Sequence, residues 1–283
     1  MIRPPGRLMR IVQILILVLM GFVALYPIYF TLLAAFRPGQ SLYTFNLGAM
    51  FFPDFSNWTW DNFRVMLLES PFPLWVKNSL VVASATTVLS ILVVTSAAFA
   101  FSRFSFRGRS FGLIFMLGLQ AYPGLLSLSA ITMILTAFGL YGKHLGLILA
   151  YTTGTLVFST WNLKGYFDTI PIDLEESGMI DGCGPIQSFF LIALPLARPA
   201  LAITALLGFL AGWSDYVFAS SLVPAPDSMK LAVPALYGLS INLGVPWGQF
   251  AAGFCIVVIP TIILFLYLQR FLESGLTLGG VKG

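Results

Sequence analysis

Apolar runs of about 20 residues recur along this chain, the length that a helix needs to cross a bilayer core of about 30 Å. Six such runs are read, near Ile11–Ala35, Ser79–Phe101, Phe111–Ala137, Leu145–Leu163, Pro199–Ser221 and Phe250–Leu272. The fourth is the least hydrophobic. Only 9% of the 283 residues are charged and 58% are hydrophobic, whereas an ordinary soluble domain is about a quarter charged. The expectation is an all-α integral membrane protein with six transmembrane helices. Arg3, Arg7 and Arg10 precede the first run as they would in a signal peptide. Its apolar stretch is too long for one and no small-residue cleavage site follows, so it reads as a retained helix.

Lysine and arginine in short loops set orientation, because positive residues stay cytoplasmic. Arg3, Arg7 and Arg10 before the first run share a side with Arg103, Arg107 and Arg109 after the second, and with Arg270 and Lys282 after the sixth. Arg37, Arg64, Lys77, Lys143 and Lys230 are spread thinly over longer loops on the other side. Both termini are therefore expected in the cytoplasm, in the cytoplasmic (inner) membrane of a bacterium or archaeon. Topology accounts for the net charge of +4, and nothing calls for a nucleic-acid partner.

The outer loops are aromatic and then proline-rich. Phe51, Phe52, Phe55, Trp58, Trp60, Phe63 and Trp75 crowd between the first two runs, as an interfacial belt does. A sugar-stacking role for them is the alternative. Val223–Gln249 holds Pro224, Pro226, Pro234 and Pro246 with Gly238, Gly244 and Gly248, which predicts an irregular docked loop.

One polar island interrupts the apolar pattern, from Asp168 to Gly184. It holds Asp168, Asp173, Glu175, Glu176 and Asp181, five of the chain's 11 acids. Pro171 suits a first helical turn, Asp168 or Thr169 can cap it, and Asp173 favours the positive end of the dipole. Leu174 to Ile180 then wind as two turns, ended by Gly182, Gly184 and Pro185. Leu174, Ser177, Gly178 and Asp181 share one side by their spacing. Small residues at Ser177 and Gly178 would let a partner approach the backbone, and Glu175, Glu176 and Asp181 offer charge to basic groups. A second short helix with Phe189, Phe190 and Ile192 would follow along the membrane surface as far as Pro195. These properties fit a docking surface and a solvated connecting loop equally.

Residue order separates the two readings. Glu-Glu-Ser-Gly-Met-Ile-Asp-Gly-Cys, followed by Ile-Ala-Leu-Pro, resembles the EAA loop of permease subunits in binding-protein-dependent ABC importers. Glu176, Gly182, Ile192, Leu194 and Pro195 match its pattern, while Ser177, Gly178 and Cys183 stand where alanines are usual. The stretches Ala98–Arg109, Gly139–Ala150 and Lys164–Pro171 are similar to carbohydrate-importer permeases. The end, Gln269-Arg-Phe-Leu-Glu-Ser-Gly-Leu-Thr-Leu-Gly-Gly-Val-Lys-Gly283, is similar to the tail of MalG-type subunits of maltose/maltodextrin importers.

The resemblance implies a type I importer permease. It would have a cytoplasmic N-terminus over residues 1–10, a permease domain over 11–272 with its coupling loop at 164–198, and a cytoplasmic tail over 273–283. Glu175, Glu176, Ser177, Gly178, Asp181, Gly182, Leu194 and Pro195 become the ATPase-coupling residues. Gly275, Gly279, Gly280 and Lys282 become a tail that contacts the ATPase, against the plain alternative of a frayed terminus. The implied partners are a homologous second permease (MalF type), a dimer of ATPase subunits (MalK type) and an extracytoplasmic sugar-binding protein. ATP and magnesium belong to the ATPase, since no Gly-x-x-x-x-Gly-Lys-Ser/Thr loop occurs here. The chain itself is expected to bind no cofactor or metal and to be no enzyme.

Asp215, in Gly212-Trp-Ser-Asp-Tyr216, is the one acid within a run; it either faces the translocation cavity or ties helices together. Gly208 and Gly212 permit close helix packing. A related disaccharide such as trehalose is the alternative substrate. A stand-alone secondary transporter is the rival class, but internal repeats and charged, broken midplane helices are not evident.

Overall fold

In a computed structural model, residues 6–38, 57–241 and 245–279 are described, with side chains as far as Phe271. The named helices are α1 (Arg7–Phe36), α2 (Phe72–Arg103), α3 (Arg109–Gln120), α4 (Leu128–Ala137), α5 (His144–Thr169), α6 (Asp173–Ile180), α7 (Pro185–Ser188), α8 (Arg198–Ser214), α9 (Val217–Leu222), α10 (Ala232–Ser240) and α11 (Trp247–Gly279). There is no β-strand among the described residues. α1, α2 and Trp247–Phe271 of α11 are each long and apolar enough to cross a membrane alone. The bent pairs Arg109–Gln120 with Gly124–Ala137, and Pro185–Leu196 with Arg198–Ser214, add two more. α5, 26 residues long, has the length of a sixth span but is not apolar enough to count as one by composition.

α5 is less apolar because it is lined with hydroxyls that bond within the bundle. Thr152 Oγ1 donates to the Ile148 carbonyl at 2.8 Å, and Thr155 Oγ1 lies 2.9 Å from Ser90 Oγ on α2. Such residues lower hydropathy while bonding inside the protein, although Ser159 Oγ and Trp161 Nε1 of the same helix are buried without a partner. The third span, expected continuous from Phe111 to Ala137, instead turns by 96°. Pro123 is the cause: it has no N–H, its ring collides with the carbonyl four residues back, and it forces Tyr122 away from helical geometry.

Two compact units are present, one of Met1–Pro73 with Leu236–Val258 and one of Leu74–Ala235 with Ile259–Gly283. In the first, Asn62 Nδ2 donates to the Ala35 and Arg37 carbonyls at 2.9 and 3.0 Å. It thereby satisfies groups that a helix end leaves open. Phe36 gathers Trp58, Trp60 and Phe63 at centroid distances of 4.9, 4.8 and 5.0 Å. These aromatics form a packed cluster. Phe51, Phe52 and Phe55 lie outside the described residues.

In the second unit α8 crosses α2 at its glycines. A Cβ on Gly212 would lie 2.8 Å from Ala83 Cα, and one on Gly208 would lie 3.1 Å from Thr87 Cα. One apolar core joins Val82, Leu147, Tyr151, Leu222 and Leu231; the other joins Val94, Leu163, Phe167, Ala193 and Ala200. The start of α2 holds the segment before α10. Trp75 Nε1 donates to the Asp227 carbonyl, and Asn78 Nδ2 donates to those of Ser228 and Lys230. Ser79 Oγ accepts from the Ala232 N–H at 2.8 Å, and His144 Nε2 bonds the Met229 carbonyl. The expectation of an irregular loop from Val223 to Gln249 is thus corrected by α10. Pro234 falls in its first turn, where a missing N–H costs nothing.

Candidate functional site

The acidic island lies against the second of these cores. Ile170, extended because a proline follows it, carries the chain away from α5. α6 starts at Asp173 with Ile172 as its N-cap and no side-chain cap. Neither Asp168 nor Thr169 caps it, contrary to expectation, because both bond before the chain turns. Thr169 Oγ1 donates to the Tyr166 carbonyl, while Asp168 pairs with Lys164 and accepts from Ser102 Oγ at 2.7 Å. Burial alone would push the Asp168 carboxyl up. Hydrogen bonds from Lys164 and Ser102, with the charges of Lys164 and Arg109, outweigh that and hold it below its ordinary value.

The two adjacent glutamates part company. Glu175 is buried, 4% exposed, and its Oε1 accepts from Arg103 Nε at 2.8 Å and lies 2.7 Å from Nη2. The same guanidinium donates to the Ile170 carbonyl at 3.0 Å and to Ser102 Oγ at 3.2 Å. Arginine's planar fork suits such convergent acceptors. Glu176 is exposed. Glu175 therefore offers no charge to a partner: Arg103, the last residue of α2, already holds it. Arg103 was missed in the sequence because its loop, read for charge and topology, shows no link to a residue 72 positions away.

Gly178 also faces inward. A Cβ there would come 2.2 Å from Ile192 Cδ1, so its smallness seats α6 on the chain's own following segment. Exposed around the rest of the helix are Leu174, Glu176, Ser177, Met179, Ile180 and Asp181, with Ile180 86% exposed. Gly182 closes the helix at φ +97°, with Gly182 N–H on the Met179 carbonyl and Cys183 N–H on that of Gly178. Gly182→Ala is expected to cost about 1–2 kcal/mol, the left-handed penalty for a residue with a Cβ. The thermal midpoint of the purified permease in detergent checks this; no change would mean the turn relaxes freely.

After Gly184, α7 continues through a wide turn, Phe189–Ala193, and a last turn, Leu194–Leu196. Leu194 and Pro195 are half-buried and lie in the 80° bend into α8, away from the exposed face of α6. α11 is helical through Gly275 to Gly279, while Gly280 and Lys282 lie outside the described residues. Asp215 Oδ1 accepts from Tyr151 Oη at 2.8 Å and from the Phe218 and Ala219 N–H groups at 2.9 and 3.1 Å. It ties α5 to the start of α9, and with Tyr151, Thr155 and Phe218 it lines a cavity of about 250 Å³.

Apolar helices long enough to cross a membrane, with one short acidic helix packed on the second core, mark the chain as an integral membrane protein with one polar surface element. The family model described as "Binding-protein-dependent transport system inner membrane component" matches residues 91–277, and the chain belongs to that family. It is 37% identical over 279 residues to the maltodextrin transport system permease protein MdxG of Bacillus subtilis, covering 97% of this chain and 96% of that one. It is 34% identical to the trehalose/maltose transport system permease protein MalG of Thermococcus litoralis, covering 98% of each chain. A chain in the crystal structure of a bacterial ABC transporter for import of the acidic polysaccharide alginate matches with TM-score 0.76 at 22% identity, over 94% of this chain and 98% of that one. The chain is thus a multi-pass inner-membrane permease subunit of an ABC importer. It is non-catalytic, and ATP hydrolysis and substrate capture fall to partner subunits.

Proposed function

We propose that this chain is the MalG-type permease of an importer for maltose and maltodextrins, and that α6 is its coupling helix. It pairs with a MalF-type permease, a MalK-type ATPase dimer that binds ATP and magnesium, and an extracytoplasmic sugar-binding protein. The observation that carries the docking role is the division of α6 into two faces. Glu175 and Gly178 are spent inside the chain, which leaves Leu174, Glu176, Met179, Ile180 and Asp181 as an apolar surface with an acidic rim. Such a face suits a cleft with basic groups at its edge. Charge at Arg3, Arg7, Arg10, Arg103, Arg107 and Arg109 supports a cytoplasmic setting for the termini and the island. The relatives named for maltodextrin and for trehalose and maltose support the substrate class. Gly275, Gly279, Gly280 and Lys282 are proposed to reach the ATPase.

ATP-driven closure of the ATPase dimer then moves α6 and its helices between inward-facing and outward-facing states as rigid bodies. Glu176→Lys reverses charge on the exposed face without touching the buried pair. It is expected to cut maltotriose uptake by the reconstituted complex about 100-fold, within the range of truncating an interface hot spot. Affinity retention of the ATPase should fall with it. Normal uptake would remove α6 as the docking element.

A further inference from the structure

Both covalent connections of α6 leave the helical conformation. The chain enters through extended Ile170 and Pro171 and leaves through Gly182 and Gly184, the former at φ +97°. At eight residues α6 is too short to be stable alone and is not helically continuous with α5 or with the segment after it. Its firm connections are lateral: the Arg103 guanidinium on Glu175 and on the Ile170 carbonyl, and Gly178 seated against Ile192. The first leads into α2.

From Trp75 to Arg103, α2 is one unbroken helix, a rod of about 40 Å at 1.5 Å per residue. Its far end is just as firmly tied. Trp75, Asn78 and Ser79 hold four backbone groups between Asp227 and the first residue of α10: the Asp227, Ser228 and Lys230 carbonyls and the Ala232 N–H. That Asn78 carboxamide is buried, as is Ser79. One rigid element is thus hydrogen-bonded at one end to the acidic helix and at the other to the opposite loop.

We propose that α2 is the mechanical link between the two faces of the membrane, with Arg103 as the positioning residue that engages it to α6. Displacement of α6 by the ATPase moves the α2 end through the Arg103–Glu175 fork. The same rod shifts the Asp227–Ala232 segment, at the end opposite α6, the side from which an extracytoplasmic binding protein would approach. By linkage the coupling is reciprocal, so binding-protein occupancy at one end biases the ATPase at the other. This rests on the coupling-helix reading above.

The test separates position from folding. Arg103→Met combined with Glu175→Leu removes both charges together, so neither is left buried and alone, and such replacements keep folded proteins folded. In the assembled importer in liposomes, this double variant is expected to retain the ATPase on affinity purification. Its ATP hydrolysed per maltotriose imported should rise about tenfold, and stimulation of hydrolysis by maltotriose-loaded binding protein should fall about as much, an ordinary coupling magnitude. Wild-type stoichiometry and stimulation overturn the proposal. If the double variant loses the ATPase, Arg103→Lys, which keeps the charge but not the fork, is read in the same way. Loss of the ATPase in both assigns the pair to folding alone and also overturns it. Glu176→Lys is the control for the underlying reading: normal uptake there removes the docking role whatever Arg103 does.

Discussion

Glu175→Ala is expected to destabilise the permease by about 3–5 kcal/mol, the cost of stripping one partner from a buried ion pair. The Glu175 side chain is 5% exposed and its carboxylate takes two bonds from Arg103, whose own side chain is 10% exposed. Removing it leaves a guanidinium with only the Ile170 carbonyl and Ser102 Oγ as acceptors and no countercharge. Glu176→Ala, one residue on, removes an exposed carboxylate and should stay within about 0.5 kcal/mol. Thermal midpoints of the two variants in the same detergent decide the matter. Equal shifts would mean that the pair is solvated and that the two glutamates do not differ in role. In Glu175→Ala the later addition of Arg103→Met should restore much of the loss, since the orphaned charge goes with it.

Gly212→Leu is expected to cost at least about 3 kcal/mol, the upper end of ordinary overpacking. Any Cβ at this position meets the Ala83 Cα at 2.8 Å and its nitrogen at 3.1 Å, and backbone cannot swing aside as a side chain can. α2 and α8 must separate, and the buried Val82, Ala83 and Trp213 lose their partners. Gly154→Ala and Gly165→Ala serve as controls on α5, because a Cβ at either meets nothing within 4 Å. Both should be neutral or gain up to about 1 kcal/mol from helix propensity. A Gly212→Leu permease that melts with the wild type would show that the two helices are not in contact at this depth.

What the sequence revealed and what it concealed divide along physical lines. Apolar length is a local property, so the single helices α1, α2 and α11 were legible, as was the small-residue pair Gly208 and Gly212. Pro123 was absorbed into an apolar run, although its missing N–H and its ring break the third span there. α10 was hidden by prolines and glycines whose placement, in a first turn and beyond, a helix tolerates. At the site, the helix and its glycine terminator were readable. Which of two neighbouring glutamates turns inward was not. They are chemically identical and one position apart, and the choice between them is made by a guanidinium 72 residues earlier. For the same reason Gly178 read as room for a partner, when the space belongs to Ile192.

The triple grip of Arg103 has a consequence for biogenesis. α6 is too short to hold its shape by itself, and its seat is assembled from the last turn of α2, the carbonyl after α5 and the segment following Gly184. The seat of α6 is therefore complete only once the chain has been made as far as Ile192, so the acidic helix takes its final place late, after the spans that flank it have met.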